Sequence, residues 1–508
     1  MTFAAASQPL DLADEEATGR LASDVAFMLR AGDVVTLSGD LGAGKSTFAR
    51  AVIRTLAGQA TLEVPSPTFT LLQSYPVPGG TVVHADLYRI SDPDALCELG
   101  LEDAMAGAIT LIEWPEVAAG LLPPDRLEVH FVLPSGGSLT KRQVALTACG
   151  AFRPRLERLL TVQRFLDQSG FAAARRVPLA GDASTRRYER LWLNDRSVVL
   201  MDAPRRPDGP PLRHGLAYSA IAHLAEDVKP FVAMARGLRE RGFSAPEIVA
   251  ADLSDGLLIV EDLGDEGIAS RQGEPIEERY AAAVEVLLAL HHQALPAALR
   301  VAPRVEHWLA AYDLEALLVE LELLLEWYLP HRGASLGSGA SAQFLTLWRE
   351  ALAGVSEAPQ TWVLRDFHSP NLVWLAERSG VARIGLLDFQ DAVMGPAAYD
   401  LVSLLQDARV DIAETLEMAL LSRYVVGRRT AAPDFRAAPF LALYAALGAQ
   451  RATKILGIFA RLDRRDGKPQ YLRHLPRLWG YLSRSLAHPT LEPLRAWYAR
   501  NVPSPAAA

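Results

Sequence analysis

Residues 39–46 read Gly-Asp-Leu-Gly-Ala-Gly-Lys-Ser, the pattern G-x-x-x-x-G-K-[ST], between a short β-branched run (Asp33–Ser38) and a stretch with helical spacing. Such a loop functions only between a strand and a helix. Its glycines let successive backbone N–H groups converge on phosphate oxygens, and the helix N-terminus adds its dipole. The lysine reaches the β/γ oxygens and the hydroxyl supplies a magnesium ligand. The segment therefore predicts an α/β domain that takes ATP or GTP with Mg²⁺. Gly39, Asp40, Gly42, Ala43, Gly44, Lys45, Ser46 and Thr47 are its nucleotide-binding residues, and Ser46 is also a metal ligand.

The flanking sequence fits that fold. Apolar positions recur at helical spacing from Asp14 to Leu29, and apolar runs at Val82–Val83, Ala108–Ile112 and Leu127–Leu133 alternate with polar and helical stretches, up to a boundary near residue 150. A nucleotide hydrolase needs a carboxylate near the metal and a group that orients the attacking water. Asp86 and Glu113 each follow an apolar run. In isolation they read as a helix N-cap and a surface carboxylate; beside an intact phosphate loop both are assigned to catalysis and to the metal. Trp114, next in the chain, fits the core, the rim or the neighbourhood of the nucleotide equally well.

At 508 residues the chain exceeds what one core usually encloses, and two or three domains are expected. Residues 151–168 have the pattern of a basic, amphipathic connecting helix. Strand-like runs at Arg187–Leu193, Ser197–Met201 and Leu257–Glu261 imply a small β-rich lobe over 169–262. From 263 to about 500 helical periodicity dominates, interrupted by strand-like runs at Trp362–Leu364 and Ile384–Leu387 that lead into acidic motifs.

Those motifs hold a second chemical constellation. Asp366 precedes Asn371 by five residues, and Asp388 follows within Leu386-Leu387-Asp388-Phe389. In phosphoryl transfer the first aspartate accepts the substrate hydroxyl proton, while the asparagine and the later aspartate hold metal ions that bridge the phosphates. Asp366 is assigned as catalytic, and Asn371 and Asp388 as metal ligands. The strand VVLMDAP carries Met201-Asp202 where a phosphate-pairing lysine is expected. The grip on nucleotide then falls to Gly181–Tyr188, with Ser184 and Arg187 as contacts, although its arginines fit surface ion pairs equally well. His368 either orders Asp366, touches substrate or is structural. Asp400 reads as a hydrogen-bond anchor of the loop. The stretches Glu320–Tyr328 and Arg461–Lys468 fit a substrate wall or solvated faces.

Bulk properties narrow the partners. A net charge of −9 argues against a chain that holds DNA or RNA by itself. Two cysteines, Cys97 and Cys149, provide neither a disulfide framework nor a metal cluster. The first residues lack a basic segment followed by an apolar run, and Leu314–Leu329 is broken by Glu315, Glu320, Glu322 and Glu326, so no membrane segment and a cytoplasmic location are expected.

GDLGAGKSTFAR, SPTFTLLQSY, HADLYRI and LIEWPE, in this order and spacing, resemble the TsaE family of bacterial tRNA-threonylcarbamoyladenosine ATPases over roughly residues 10 to 145. The resemblance implies that Thr68 lies in a switch-like segment at the nucleotide, that Asp86 and Glu113 act near magnesium, and that Trp114 lies beside the nucleotide. Ser46 stands where threonine is more usual and keeps the hydroxyl. The family's work implies slow ATP hydrolysis by this domain alone and cycling of TsaB/TsaD-like partners, which transfer threonylcarbamoyl to an adenosine beside the tRNA anticodon. The tRNA is then met only indirectly. A nucleotide-gated binding module with negligible turnover is the competing reading.

GDASTRRY, VVLMDAP, LRDFHSPNL and LLDFQDAVMGPAAYDL resemble the aminoglycoside-phosphotransferase superfamily over about residues 160 to 485, and more narrowly the AmgK-type anomeric kinases of N-acetylmuramate and N-acetylglucosamine in cell-wall recycling. This implies a two-lobed protein-kinase-like α+β domain in which Leu258–Gly264 is the hinge that binds adenine. In that family the missing lysine is a trait, and Asp366 deprotonates or orients the C1 hydroxyl of an amino sugar as it attacks the γ-phosphate of ATP. Phosphorylation of an aminoglycoside or another hydroxylated metabolite is the alternative.

Overall fold

The computed structural model describes residues 8–67, 70–90, 96, 99–133, 140–179 and 186–505. They form two compact units: residues up to Pro178 with Leu191–Asp195, and Leu179–Arg190 with Arg196 onward.

The first unit is built on seven strands: β1 (Gln8–Leu12), β2 (Val34–Gly39), β3 (Leu72–Val77), β4 (Gly80–Asp86), β5 (Ile109–Glu113), β6 (Arg126–Val132) and β7 (Arg142–Cys149). They lie in the order β1-β7-β6-β2-β5-β4-β3. The inner pairs β6·β2, β2·β5 and β5·β4 are parallel, and the outer pairs are antiparallel. Inner strands covered on both faces need near-continuous apolar runs, and all five residues of β5 are buried. Helix α1 (Glu15–Met28) starts where the Asp14 carboxylate accepts the Ala17 N–H at 2.7 Å. Helix α2 (Lys45–Ala57) follows the phosphate loop directly. In register, Leu37 lies opposite Glu113 and Glu113 opposite Asp86, so the carboxyl ends of β2, β5 and β4 stand side by side. Open α/β sheets bind ligands along that edge.

The helix Arg153–Gln168, expected as a connector, packs as part of this unit. Its Leu156 and Leu159 enter the unit's apolar core, and the Arg155 guanidinium donates to the Asp33 carboxylate at 2.9 Å. An apolar stripe of this kind is stable only when covered.

In the second unit, strands Ile248–Asp252, Leu257–Glu261, Arg196–Asp202 and Arg187–Leu193 are sheet neighbours in that order, packed with the helix Lys229–Arg239. The helical part contains Glu277–His291, Leu314–Leu323, Ala398–Leu405, Glu414–Ala431, Ala437–Asp466 and Leu475–Leu486. Within it, Gln360–Val363 pairs with Val393–Pro396 and Leu372–Trp374 with Ile384–Leu386, both antiparallel. Ala437–Asp466, 30 residues long, crosses Leu314–Leu323 at Gly457, where a Cβ would stand 2.4 Å from the Leu323 carbonyl carbon. No side chain fits that crossing. Among the described residues no helix is long and apolar enough to cross a membrane.

Candidate functional site

In the first unit the loop from β2 to α2 is shaped by glycine. Gly39 has φ +124°, and a Cβ there would meet the Phe131 carbonyl oxygen at 2.2 Å; Gly44, at φ +119°, caps α2. Ala43 is fully buried beneath the loop, and Asp40 and Gly42 are exposed on it. Lys45 folds back over its own loop, donating to the carbonyls of Gly39 (2.7 Å) and Asp40 (2.8 Å), with its ammonium 3.8 Å from the centre of the Trp114 ring. Burial lowers the Lys45 pKa, against the pull of Glu113 and Asp86. Thr47 accepts a hydrogen bond from Arg50 at 3.0 Å.

The acidic strand ends converge on this loop. The Ser46 hydroxyl donates to Glu113 Oε2 at 2.8 Å, and the fully buried His84 meets Glu113 Oε1 through Nε2 at 2.9 Å. Asp86 accepts from the Tyr88 N–H at 3.1 Å and the Ser66 hydroxyl at 3.4 Å. Trp114, in the left-handed region at φ 58°, lies tilted against Tyr88 with ring centres 4.9 Å apart. Thr68 lies outside the described residues.

In the second unit two loops carry the acidic residues, each leaving a short strand pair. The Leu387 N–H donates to the Asn371 carbonyl at 2.9 Å and ties them together. The buried Asp400 carboxylate accepts the N–H groups of Leu364 (2.7 Å) and Arg365 (2.9 Å), and Ser403 donates to the Arg365 carbonyl at 3.0 Å. Burial pushes the Asp400 pKa up to about 7 despite those bonds. Arg365 and Asp388 both occupy the left-handed region, at φ 66° and 55°. Non-glycine residues rarely do so without a functional or packing reason.

Asp366 keeps 40% of its side chain exposed, at a cavity of about 890 Å³. Burial works to raise its pKa, yet His368, whose Nε2 is 3.8 Å away, together with Lys454, Arg451 and Arg365, lowers it below 3.8. The carboxylate is therefore charged and able to accept a proton. The Asn371 Nδ2 donates to the Asp366 carbonyl at 3.0 Å, which leaves its amide oxygen as the acceptor. Asp388 accepts from Arg186 (3.0 Å) and Gln390 (2.9 Å), and burial together with the neighbouring Asp366 raises its pKa to about 6. Phe389 stacks on Phe231 at 4.9 Å, which fixes the Asp388 loop to the helix Lys229–Arg239. Val199, Met201, Val260 and Leu263 give the cavity an apolar lining suited to a nucleobase.

Both sets of oxygen donors suit a hard, partly hydrated divalent cation: Ser46, Asp86 and Glu113 in one unit, Asn371 and Asp388 in the other. Among the described residues no three His, Cys, Asp or Glu gather into a cage, and magnesium does not require one because it retains several waters.

Some residues fall elsewhere than expected. Arg187 is exposed on its strand, and Arg186 is the residue that reaches Asp388; Ser184 lies outside the described residues. Glu320 does not line the cavity. It is fully buried behind the loop, holding Arg365, Lys454 (2.7 Å) and Tyr312 (2.7 Å). The cavity wall is instead formed by Arg451, Lys454, Ile455, Ile458, Phe459 and Leu462 of the long helix. The sequence signal was two cations, Arg451 and Lys454, inside an otherwise apolar helical run. His84 had a fainter one: in a strand, residues two apart share a face, so a histidine two before Asp86 also belongs at the strand ends.

A phosphate loop with carboxylates at neighbouring strand ends defines a P-loop ATPase module. A cavity with Asp366, Asn371 and Asp388 on two tied loops defines an ATP-dependent phosphotransferase of two-lobed, kinase-like fold. The chain belongs to both corresponding families: residues 12–143 match the threonylcarbamoyl adenosine biosynthesis protein TsaE family, and residues 175–441 match the phosphotransferase enzyme family.

Among individual relatives, it is 42% identical to the N-acetylmuramate/N-acetylglucosamine kinase of Caulobacter vibrioides, over 68% of this chain and 97% of that protein. It is 35% identical to the kinase of the same name from Pseudomonas aeruginosa, over 61% of this chain and 83% of that one. The first unit is 45% identical to the tRNA threonylcarbamoyladenosine biosynthesis protein TsaE of Rickettsia bellii, over 24% of this chain and 84% of that protein.

Proposed function

We propose that the chain is bifunctional. The second unit phosphorylates the anomeric hydroxyl of N-acetylmuramate and N-acetylglucosamine; the first is the ATPase that supports threonylcarbamoyl transfer to tRNA through TsaB/TsaD-like partners. The observation that carries the kinase reading is the charged, accessible Asp366 at the cavity, on a loop tied to the one that bears Asp388. The 42% identity to a kinase of that name supports the choice of sugar.

In this reading the sugar hydroxyl donates to Asp366 and its oxygen attacks the γ-phosphorus of ATP. The new C1–O–P linkage forms as the bond between the γ-phosphorus and the bridging oxygen breaks, ADP departs, and the hydroxyl proton passes to Asp366. Asp400 and Ser403 hold the loop that carries this base. Asn371 and Asp388 here, and Ser46, Asp86 and Glu113 in the first unit, would hold magnesium, which when bound would supply charge neutralisation for the phosphates. In the first unit Lys45 leaves its loop carbonyls to meet the phosphate oxygens. Glu113, held by His84, orients the attacking water.

Phosphorus and proton NMR of the reaction products tests the sugar assignment. A phosphate resonance coupled to the anomeric proton, with loss of the reducing end, is expected for both sugars. Phosphate on another carbon, or modification of an aminoglycoside alone, contradicts it.

A further inference from the structure

Resting on the sugar-kinase reading above, we propose that Arg451 is the residue that recognises a substrate carboxylate, and so separates N-acetylmuramate, whose lactyl group carries one, from N-acetylglucosamine, which has none.

Arg451 lies on the long helix Ala437–Asp466, lines the cavity that holds Asp366, and is only 5% exposed. Its Nη1 is buried without a hydrogen-bond partner. A buried guanidinium donor left unpaired is destabilising by more than a neutral one, because the charge has lost its water. The neighbouring cations are occupied: Lys454, one helical turn on, donates to Glu320 at 2.7 Å, and Arg365 is held by Glu320 and by the Ala222 carbonyl at 2.7 Å. Of the carboxylates at this end, Asp366 feels the Arg451 charge and faces the cavity, while the two buried ones have partners within the protein. Asp407 accepts from the backbone of Ser369 and Arg409, both at 2.8 Å, and Asp400 from Leu364 and Arg365.

Arg451 stands on a different element from the residues assigned to the metal. Asn371 and Asp388 stand on the two tied loops and line the same cavity as the strand residues Val199, Met201 and Val260. Arg451 belongs to the helix wall, beside Ile455 and Phe459, where the acceptor's ring and its substituents would rest. About 890 Å³ is room for a nucleotide and a sugar together. A planar guanidinium with a free N–H matches a carboxylate better than a hydroxyl or an acetamide, since charge-assisted pairs are roughly twice as strong as neutral ones.

The test is steady-state kinetics at saturating ATP, with both sugars, on wild type, Arg451→Gln and Arg451→Lys, and with the methyl ester of N-acetylmuramate as a ligand stripped of its charge. Arg451→Gln is expected to raise KM for N-acetylmuramate relative to N-acetylglucosamine by about 10- to 100-fold, with the ratio of kcat values unmoved, and lysine to restore part of the difference. On wild type the ester should lose the same factor, and on Arg451→Gln nothing further. That arm stands even if the variants fold poorly. Equal losses for both sugars, or an ester as good as the acid on wild type, overturn the carboxylate role alone. If wild type phosphorylates neither sugar, the sugar reading falls and the assignment with it.

Discussion

Asp388 combines an uncommon backbone conformation, φ 55°, with a carboxyl that burial and the adjacent Asp366 push up to about 6. The raised value marks a carboxyl whose ionised form is unfavourable without a cation beside it. The sign of the linkage follows: the contribution of this group to stability is fully present below its ordinary value of 3.8, and is lost as pH rises through about 6. At pH 7.5 the ionised side chain therefore weighs against the metal-free fold. Asp388→Asn is neutral, and asparagine tolerates the left-handed region well. The variant is expected to melt above wild type at pH 7.5 without nucleotide or magnesium, with the difference shrinking toward pH 4, while its kinase turnover falls at least about 100-fold. Thermal melts across that range check it; a variant that melts below wild type at pH 7.5 contradicts the strained-site account.

At the scale of elements, the helix Ala437–Asp466 lines the cavity that holds Asp366, and its distance from Leu314–Leu323 is set at Gly457. Gly457→Ala forces a methyl group against the Leu323 backbone. Overpacking of this kind destabilises by about 1–3 kcal/mol and displaces the helix. The expected outcome is a lower melting transition for the second unit and a raised sugar KM, with ATP hydrolysis by the first unit unchanged; an unaltered sugar KM would mean that the helix does not shape the acceptor site. Elements whose chemistry is local were legible in the sequence. The phosphate loop lies between β2 and α2, Asp86 and Glu113 close β4 and β5, and Asp366 and Asp388 each follow a short strand, because strand-to-loop transitions leave a contiguous trace of apolar residues followed by glycine or acid. Long-range pairings left no such trace. Glu320 looked like a cavity or solvent-facing residue, and only the packing of three distant segments shows it as the buried partner of Arg365 and Lys454. Arg187 was preferred over Arg186 for the same reason, since only the placement of the distant Asp388 shows which of two adjacent arginines reaches it.

At the scale of the whole molecule, each unit has its own apolar core and its own phosphate-handling residues: Leu37, Phe48 and Val129 lie in one core, and Tyr280, Leu317 and Trp362 in the other. Fusion raises the effective concentration of one module near the other without requiring coupling. The central claim is therefore that the chain holds two independent ATP-consuming sites. It is tested most directly by measuring ATP turnover of the full chain, with and without amino sugar, in wild type, Lys45→Ala and Asp366→Ala. The account predicts that Asp366→Ala abolishes the sugar-stimulated component and spares the slow basal hydrolysis, while Lys45→Ala does the reverse. Loss of sugar-stimulated turnover in Lys45→Ala, or its survival in Asp366→Ala, would contradict it.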